Sequence, residues 1–405
     1  MIPQLIGQAL TLIAIALFGL ILAKLTRIDK TICCLGSGFV AGLLVAPLGF
    51  DTGIRAGMVQ DLVFYLFLPP LIFQAAWHIS PNMLRRWAIP IVIFSTMGVA
   101  MSVVVSGVLI YLGINHPGFP WIAALLTATM LAATDPVSVV NLLRTEKAPE
   151  DVAMLVEGES LFNDAVAVLL FTVILSLALS NNSETPEIQI ISVLAFHILG
   201  GILAGITFGL IVAILVLFLK SSVIANLLLV VSAFGGFYIA QEFLGVPGII
   251  TVAITALVTR SALRNFEKRF LQDTENTWDW LGDTFIALIF VLMGIVIVPS
   301  MFIDQWLAIL IAIVAALFGR AATVYICAPL SSLLMRHRSI PANWNPLLVW
   351  GGIRGAIAIA LVLSLPLQLE YWYTVQSMVF GVVLFNLLIQ GTTCRPFIRR
   401  LRKIE

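Results

Sequence analysis

Charge is what this sequence has least of. Asp, Glu, Lys and Arg make up 11% of its 405 residues, while 60% are hydrophobic. Soluble domains carry roughly 25% charged residues, so too little charge is present here to cover a water-soluble fold of this length. Cysteine is also scarce. Cys33, Cys34, Cys327 and Cys394 lie in or beside apolar runs without CxxC spacing, which argues against a disulfide framework or a zinc site. The histidines, His78, His116, His197 and His337, are scattered and no HExxH occurs, so metal-assisted hydrolysis has no ligand set. A net charge of +1 gives no reason to expect a nucleic-acid partner. The first apolar run has no basic stretch before it and continues to Ala23, and it reads as a retained helix rather than a signal peptide.

What is present is a succession of apolar runs measured by the bilayer, where about 20 residues span one hydrocarbon thickness. Thirteen can be cut: Leu5–Ala23, Thr31–Phe50, Asp61–Trp77, Ala88–Leu112, Trp121–Leu142, Val152–Leu179, Ile190–Leu219, Ser222–Phe243, Pro247–Thr259, Gly282–Pro299, Trp306–Leu330, Pro346–Leu367 and Tyr373–Ile389. The stretch Arg260–Trp280 reads as a surface helix joining two halves. Residues 390–405 read as a short cytoplasmic tail. Nineteen of the 22 lysines and arginines then fall on one side, with Arg55 alone on the other and Arg320 and Arg354 inside spans. The positive-inside rule places the N-terminus outside and the C-terminus in the cytoplasm. The expected fold is an all-α multi-pass membrane protein, one domain over residues 1–405.

Ionisable residues at membrane depth are functional candidates by default, because each costs roughly 2.5–3.5 kcal/mol near mid-bilayer. Here they are Asp135 in span 5, Glu157, Glu159 and Asp164 in span 6, Arg320 in span 11 and Arg354 in span 12. Structural ion pairing is the alternative reading, most of all for Glu159 and Arg320. Ser160, Asn163 and Asp164 are related by three and four residues and share one helix face. A hydroxyl, an amide and a carboxylate form an all-oxygen set suited to a hard alkali cation, although helix–helix hydrogen bonding is the other use of the Ser and Asn. Glu159 lies about 140° around the helix from Asp164, free to meet a cation on another helix.

Two spans are interrupted at matching places. Thr134-Asp135-Pro136 breaks span 5 because proline removes a donor and clashes with the preceding turn. Gly351-Gly352-Ile353-Arg354-Gly355 opens span 12, since glycine tolerates unwound backbone. Spans 5 and 12 are seven apart and so run in opposite directions. Interrupted helices in equivalent positions of antiparallel halves point to a transport site built on inverted repeats. The repeats would cover approximately 5–179 and 222–389, with 190–219 as connector. Asp135 and Arg354 would compensate the helix ends exposed at the breaks. Gly201, Gly205 and Gly209 form a small-residue ridge that suits either packing within the protomer or a dimer seam.

At these residues the sequence resembles the NhaP-type sodium/proton antiporters, the group that includes the animal sodium/hydrogen exchangers. The matching pieces are Phe67-Leu68-Pro69-Pro70, Ala133-Thr134-Asp135-Pro136-Val137, Gly158-Glu159-Ser160-Leu161-Phe162-Asn163-Asp164-Ala165, Gly319-Arg320-Ala321 and Trp350-Gly351-Gly352-Ile353-Arg354-Gly355-Ala356. The resemblance implies a mobile core holding crossed spans 5 and 12, a second domain that forms a homodimer, and residence in a prokaryotic plasma membrane. It implies that Asp164 carries the ion or the proton, helped by Asn163, Ser160, the Thr134 carbonyl and Asp135, with sodium held at Asp164, Ser160 and Thr134. It further implies a Glu159–Arg320 bridge, Arg354 in the helix crossing and, from Asn163 before Asp164, electroneutral exchange. Gln74 stands where prokaryotic relatives usually carry an acidic residue; it can line the site but cannot neutralise. No cofactor is expected beyond the transported ions, protons with sodium, lithium or potassium. A channel of this topology would need a continuous polar path, whereas the charges cluster on spans 5, 6, 11 and 12. A carboxylate-only membrane enzyme is the more distant alternative.

Overall fold

The structure is a computed structural model that describes residues 2–48, 62–146, 148–179, 187–219, 221–263, 268–335 and 340–402. Of the charges that set the expected orientation, Arg55, Lys147, Lys220, Arg264, Arg336, Arg338 and Lys403 lie outside the described residues. The described chain is helical throughout. In order the helices are α1 (Ile2–Thr26), α2 (Lys30–Leu48), α3 (Leu62–His78), α4 (Asn82–Ile114), the divided α5a (Trp121–Met130) and α5b (Val137–Thr145), α6 (Glu150–Leu179) and α7 (Glu187–Leu219). They continue as α8 (Val223–Phe243), α9 (Gly248–Ala262), α10 (Lys268–Val296), α11 (Trp306–Leu334), the divided α12a (Asn345–Trp350) and α12b (Ala356–Leu363), α13 (Trp372–Thr393) and α14 (Arg395–Arg402). Thirteen apolar passes are therefore present among the described residues. Eight are single helices long and apolar enough to cross a bilayer, and α2, α3, α5a and α9 are shorter. The breaks cut α5a short and divide α12.

One sequence expectation needs correction. Arg260–Trp280 is not a separate surface helix. Arg260 lies in the last turn of α9, and Lys268–Val296 is one continuous helix whose Thr274 and Trp278 are fully buried. Asp273, Asp279 and Asp283 are exposed along its first half, so an apolar-run criterion cuts it short. Residues 390–402 pack back onto the protein. Gln390 and Ile398 are fully buried, Gln390 Nε2 donates to Trp350 O at 3.2 Å, and Phe397 stacks on Trp350.

The helices pack as two bundles. α1–α3 gather with α8–α10, and α4–α6 gather with α11–α13, while α7 lies on α8 and α9. The packing recurs with an offset of seven helices. α1 meets α2 as α8 meets α9; α2 meets α10 as α9 meets α3; α4 meets α5a and α6 as α11 meets α12a and α13.

Without a hydrophobic drive between helices in lipid, close backbone approach and hydrogen bonding hold such seams. Thr251, Thr255 and Thr259 of α9 donate to the carbonyls of Gly201, Gly205 and Gly209 of α7 at 3.3, 3.2 and 3.1 Å. The glycine ridge is therefore a seam within the chain. The second bundle is joined by a buried ion pair: the Arg320 guanidinium of α11 meets both Glu159 oxygens on α6, with Nη2–Oε2 at 3.0 Å, and Arg320 Nε donates to Leu348 O on α12a at 2.9 Å. Gly352 leaves the room for the Arg320 side chain, since a Cβ there would stand 2.7 Å from Nε.

A methyl group at Gly205 would stand 2.7 Å from Ile254 Cβ and Thr251 O. Gly205→Val should therefore lose about 1–3 kcal/mol of stability through overpacking, read as a lower melting temperature in detergent. Arg320→Met should cost about 3–5 kcal/mol by stranding the Glu159 charge. The double variant Glu159→Leu/Arg320→Met should melt higher than Arg320→Met alone. A double variant that melts lower still would show that the pair acts otherwise.

Candidate ion-binding site

Proline at 136 denies helix α5 its continuation, and α5a stops at Met130, with Pro136 preceding α5b. Backbone groups released at membrane depth must find partners within the protein. They do so on the other broken helix and on α6. Arg354, only 1% exposed, donates through Nε to Leu131 O at 2.9 Å, through Nη1 to Gly352 O at 2.6 Å and through Nη2 to Ala316 O at 3.0 Å. Leu131 is the C-terminal end of α5a, so the guanidinium sits where carbonyl charge accumulates. Asp135 N donates to Ile353 O at 2.6 Å, tying the two breaks together directly. A Cβ on Gly355, which precedes α12b, would run into the Asp135 carboxylate. Asp135 thus lies at the N-terminal end of α12b, and only glycine at 355 permits that approach.

Residues of α6 complete the arrangement. Ser160 Oγ donates to Thr134 O. Asn163 Nδ2 donates to Thr134 Oγ1 at 2.7 Å, and Thr134 N donates to Asn163 Oδ1 at 3.3 Å. All three residues are buried. Asn163 uses both ends of its carboxamide on Thr134. Ser160 spends its proton on the Thr134 carbonyl and keeps oxygen lone pairs. Asp164, one residue further, is 8% exposed, and its Oδ1 has no hydrogen-bond partner among the described residues. An unpartnered buried carboxylate oxygen is costly. Beside it stand the Thr134 carbonyl, the Ser160 hydroxyl and Asp135, an oxygen-rich surround of the kind a hard monovalent cation takes.

A cavity of about 370 Å³ opens onto Asp164, Asp135 and Thr134 from between the bundles. Its far end is polar: Lys30 pairs with Asp283 at 2.5 Å, Arg144 with Glu157 at 2.6 Å and His78 with Asp279 at 2.6 Å. Gln74 lines the same cavity and donates from Nε2 to Asp279 Oδ1 at 3.2 Å. A second cavity of about 390 Å³, lined by Phe64, Ala165, Val168, Leu169, Phe237 and His197, follows α6 beyond Asp164 in the opposite direction. The structure thus brings together Thr134, Asp135, Ser160, Asn163 and Asp164. Glu159 and Arg320 form their own pair, and Gln74 stands toward the cavity mouth. Asp279, Asp283, Lys30 and His78 escape a reading of the sequence. Asp279 and Asp283 sit one helical turn apart ahead of an apolar run, and that spacing on an amphipathic helix is the signal that could have found them.

Comparison with known proteins agrees with this construction. A family model described as the transmembrane sodium/hydrogen exchanger matches residues 12–400. The Na(+)/H(+) antiporter ApNhaP of Aphanothece halophytica is 34% identical over 369 residues, which cover 89% of this chain and 68% of that protein. The Na(+)/H(+) antiporter NhaP of Pseudomonas aeruginosa is 29% identical over 405 residues, covering 93% of this chain and 92% of its own length. The chain spans about two thirds of cyanobacterial relatives such as NhaS2 of Synechocystis (66%). The solved structure of the sodium proton antiporter MjNhaP1 from Methanocaldococcus jannaschii at pH 8 superposes with a TM-score of 0.81 at 20% identity, covering 98% of this chain and 99% of that one, and so shares the fold. With the crossed breaks, the Asn163-Asp164 step and a family match over nearly its whole length, this chain belongs to the sodium/hydrogen exchanger family.

Proposed function

We propose that the chain is an electroneutral sodium/proton antiporter in which Asp164 binds a proton or a cation, never both, while the two bundles expose it to one side of the membrane at a time. The observation that carries this reading is the Asp164 carboxylate itself: buried, with an oxygen unclaimed by the protein, at the inner end of an open cavity. A carboxylate withdrawn from water bears its charge at a cost, and either a proton or a sodium ion removes that cost. The emptied, ionised carrier would then reorient slowly, because it must carry an unpaired charge through the sealed state. Coupling follows from that difference alone. The cation would be held by Asp164, Ser160 Oγ and Thr134 O, with Asp135 at the α12b end adding field rather than a required bond.

Two cavities flanking Asp164 along α6 in opposite directions support alternating access. The polar cavity faces the side of the Lys30 and Arg144 turns, which charge asymmetry assigns to the cytoplasm. In this reading the structure faces inward, with the N-terminus outside and the C-terminus cytoplasmic, in a prokaryotic plasma membrane. Repeats over approximately 5–179 and 222–389 and a homodimer through the α1–α3 and α8–α10 bundle belong to the same reading.

Flux in proteoliposomes against sodium, lithium and potassium over a pH series, with and without an imposed voltage, tests it. Exchange should saturate, move protons against cations under either gradient, and ignore voltage. Because proton and cation compete for one carboxylate, acidifying the cavity side should raise the cation KM there while leaving the maximal rate at saturating cation unchanged. Asp164→Asn should abolish exchange in a protein that still folds, and Asp135→Asn should reduce it severely. Normal sodium-dependent proton flux in Asp164→Asn would remove the assignment.

A further inference from the structure

The mouth of the polar cavity holds a carboxylate that exchange at Asp164 leaves unused. The carboxylates lining the cavity are Asp135, Glu157, Asp164, Asp279 and Asp283, and the fixed cations lining it are Lys30 and Arg144. Lys30 is taken by Asp283 and Arg144 by Glu157. Asp279 has different company. Its Oδ1 meets His78 Nε2 at 2.6 Å and Gln74 Nε2 at 3.2 Å, a histidine and a neutral amide, neither of which is a permanent cation.

The placement is built by the backbone of α10. Asp279, Asp283 and Ile286 recur at four and three residues and turn one face of the helix to the cavity. Gly282 falls between them, and a Cβ there would collide with the Gln74 carboxamide. The bare backbone at 282 is what lets Gln74 lie across α10 and reach Asp279. Position 74 of α3 carries no charge, and the facing helix supplies one within hydrogen-bond reach of the same spot. The unpartnered Asp164 Oδ1, on a side chain more than nine-tenths buried, gives the cavity an occupant to receive.

We propose that Asp279 sets the cation affinity of this cavity from its mouth, drawing monovalent cations toward Asp164 in place of a charge at position 74. The proposal rests on antiport at Asp164. A carboxylate at the cavity mouth raises the local counter-ion concentration, by roughly two- to fourfold for one half-exposed charge. The Asp279 side chain is 51% exposed, so it acts through its field on a hydrated ion rather than as a stripped ligand. Its effect belongs on KM and weakens with salt.

The test uses the full chain in proteoliposomes, with sodium as the probe on the cavity side and choline chloride to set ionic strength. Asp279→Asn should raise the sodium KM about two- to fourfold at low ionic strength, with the maximal rate kept and the rise shrinking as choline chloride increases. Gln74→Glu in the Asp279→Asn background should return KM toward the parent value, because the charge is put back across the same gap. A structural role for Asp279 would lower the maximal rate and the melting temperature, and Gln74→Glu would not repair it. An unchanged KM in Asp279→Asn, or a rise that neither salt nor Gln74→Glu alters, overturns the proposal while leaving parent exchange intact. Absence of coupled exchange in the parent strikes the antiporter reading instead.

Discussion

Backbone cannot go unpaired at membrane depth, and this protein breaks two helices there. The rest of the site follows from how the released groups are satisfied. Arg354 takes the carbonyls of Leu131, Gly352 and Ala316; Ile353 O receives Asp135 N; Ser160 and Asn163 take the carbonyl, amide and hydroxyl of Thr134. Each of these side chains is committed to holding an unwound strand of chain in place. Among the described residues of the site, Asp164 keeps a buried oxygen in reserve, one residue from Asn163 and four from Ser160. The groups that repair the breaks are thus the same groups that fix the surroundings of the reserved carboxylate.

The two bundles differ in the way they are held. The bundle of α4–α6 and α11–α13 is stitched by buried polar contacts that cross between its halves: Glu159 with Arg320, Ser106 Oγ to Ala315 O at 3.1 Å and Thr323 Oγ1 to Gly98 O at 2.8 Å. Those contacts make it a block. Between the bundles lie the two cavities instead of a continuous packed seam. Polar pairs that border the first cavity, such as Arg144–Glu157 and Lys30–Asp283, each stay within one bundle. Relative displacement of the blocks would therefore leave these ion pairs whole.

Much of this was legible in the sequence because membrane depth makes charge, proline and glycine conspicuous. Asp135-Pro136 and the glycines around Arg354 marked the breaks, and the three- and four-residue spacing of Ser160, Asn163 and Asp164 put them on one face. What escaped needed a partner to interpret. The Gly201–Gly209 ridge reads the same whether it meets another protomer or, as here, the threonines of α9. The segment before Gly282 looked like a surface helix because its carboxylates outweigh its apolar face in a running average, although Trp278 is fully buried. Setting the boundary by hydropathy discarded Asp279 with it. Residues near 390–402 read as a tail because basic side chains dominate, and the burial of Cys394 and Ile398 did not show in that pattern.

The threonine–glycine seam has a property of its own. Donors at 251, 255 and 259 face acceptors at 201, 205 and 209 in the same order, so α7 and α9 run parallel with a common period of four. Sliding one helix by a single period, about 6 Å, would re-form two of the three bonds, and the ladder by itself barely distinguishes neighbouring alignments. Alignment has to be imposed at the end of the ladder, where Val246 presses against Gly200 of α7. The short loop ahead of α9 works as the stop that gives an otherwise repetitive joint its one position.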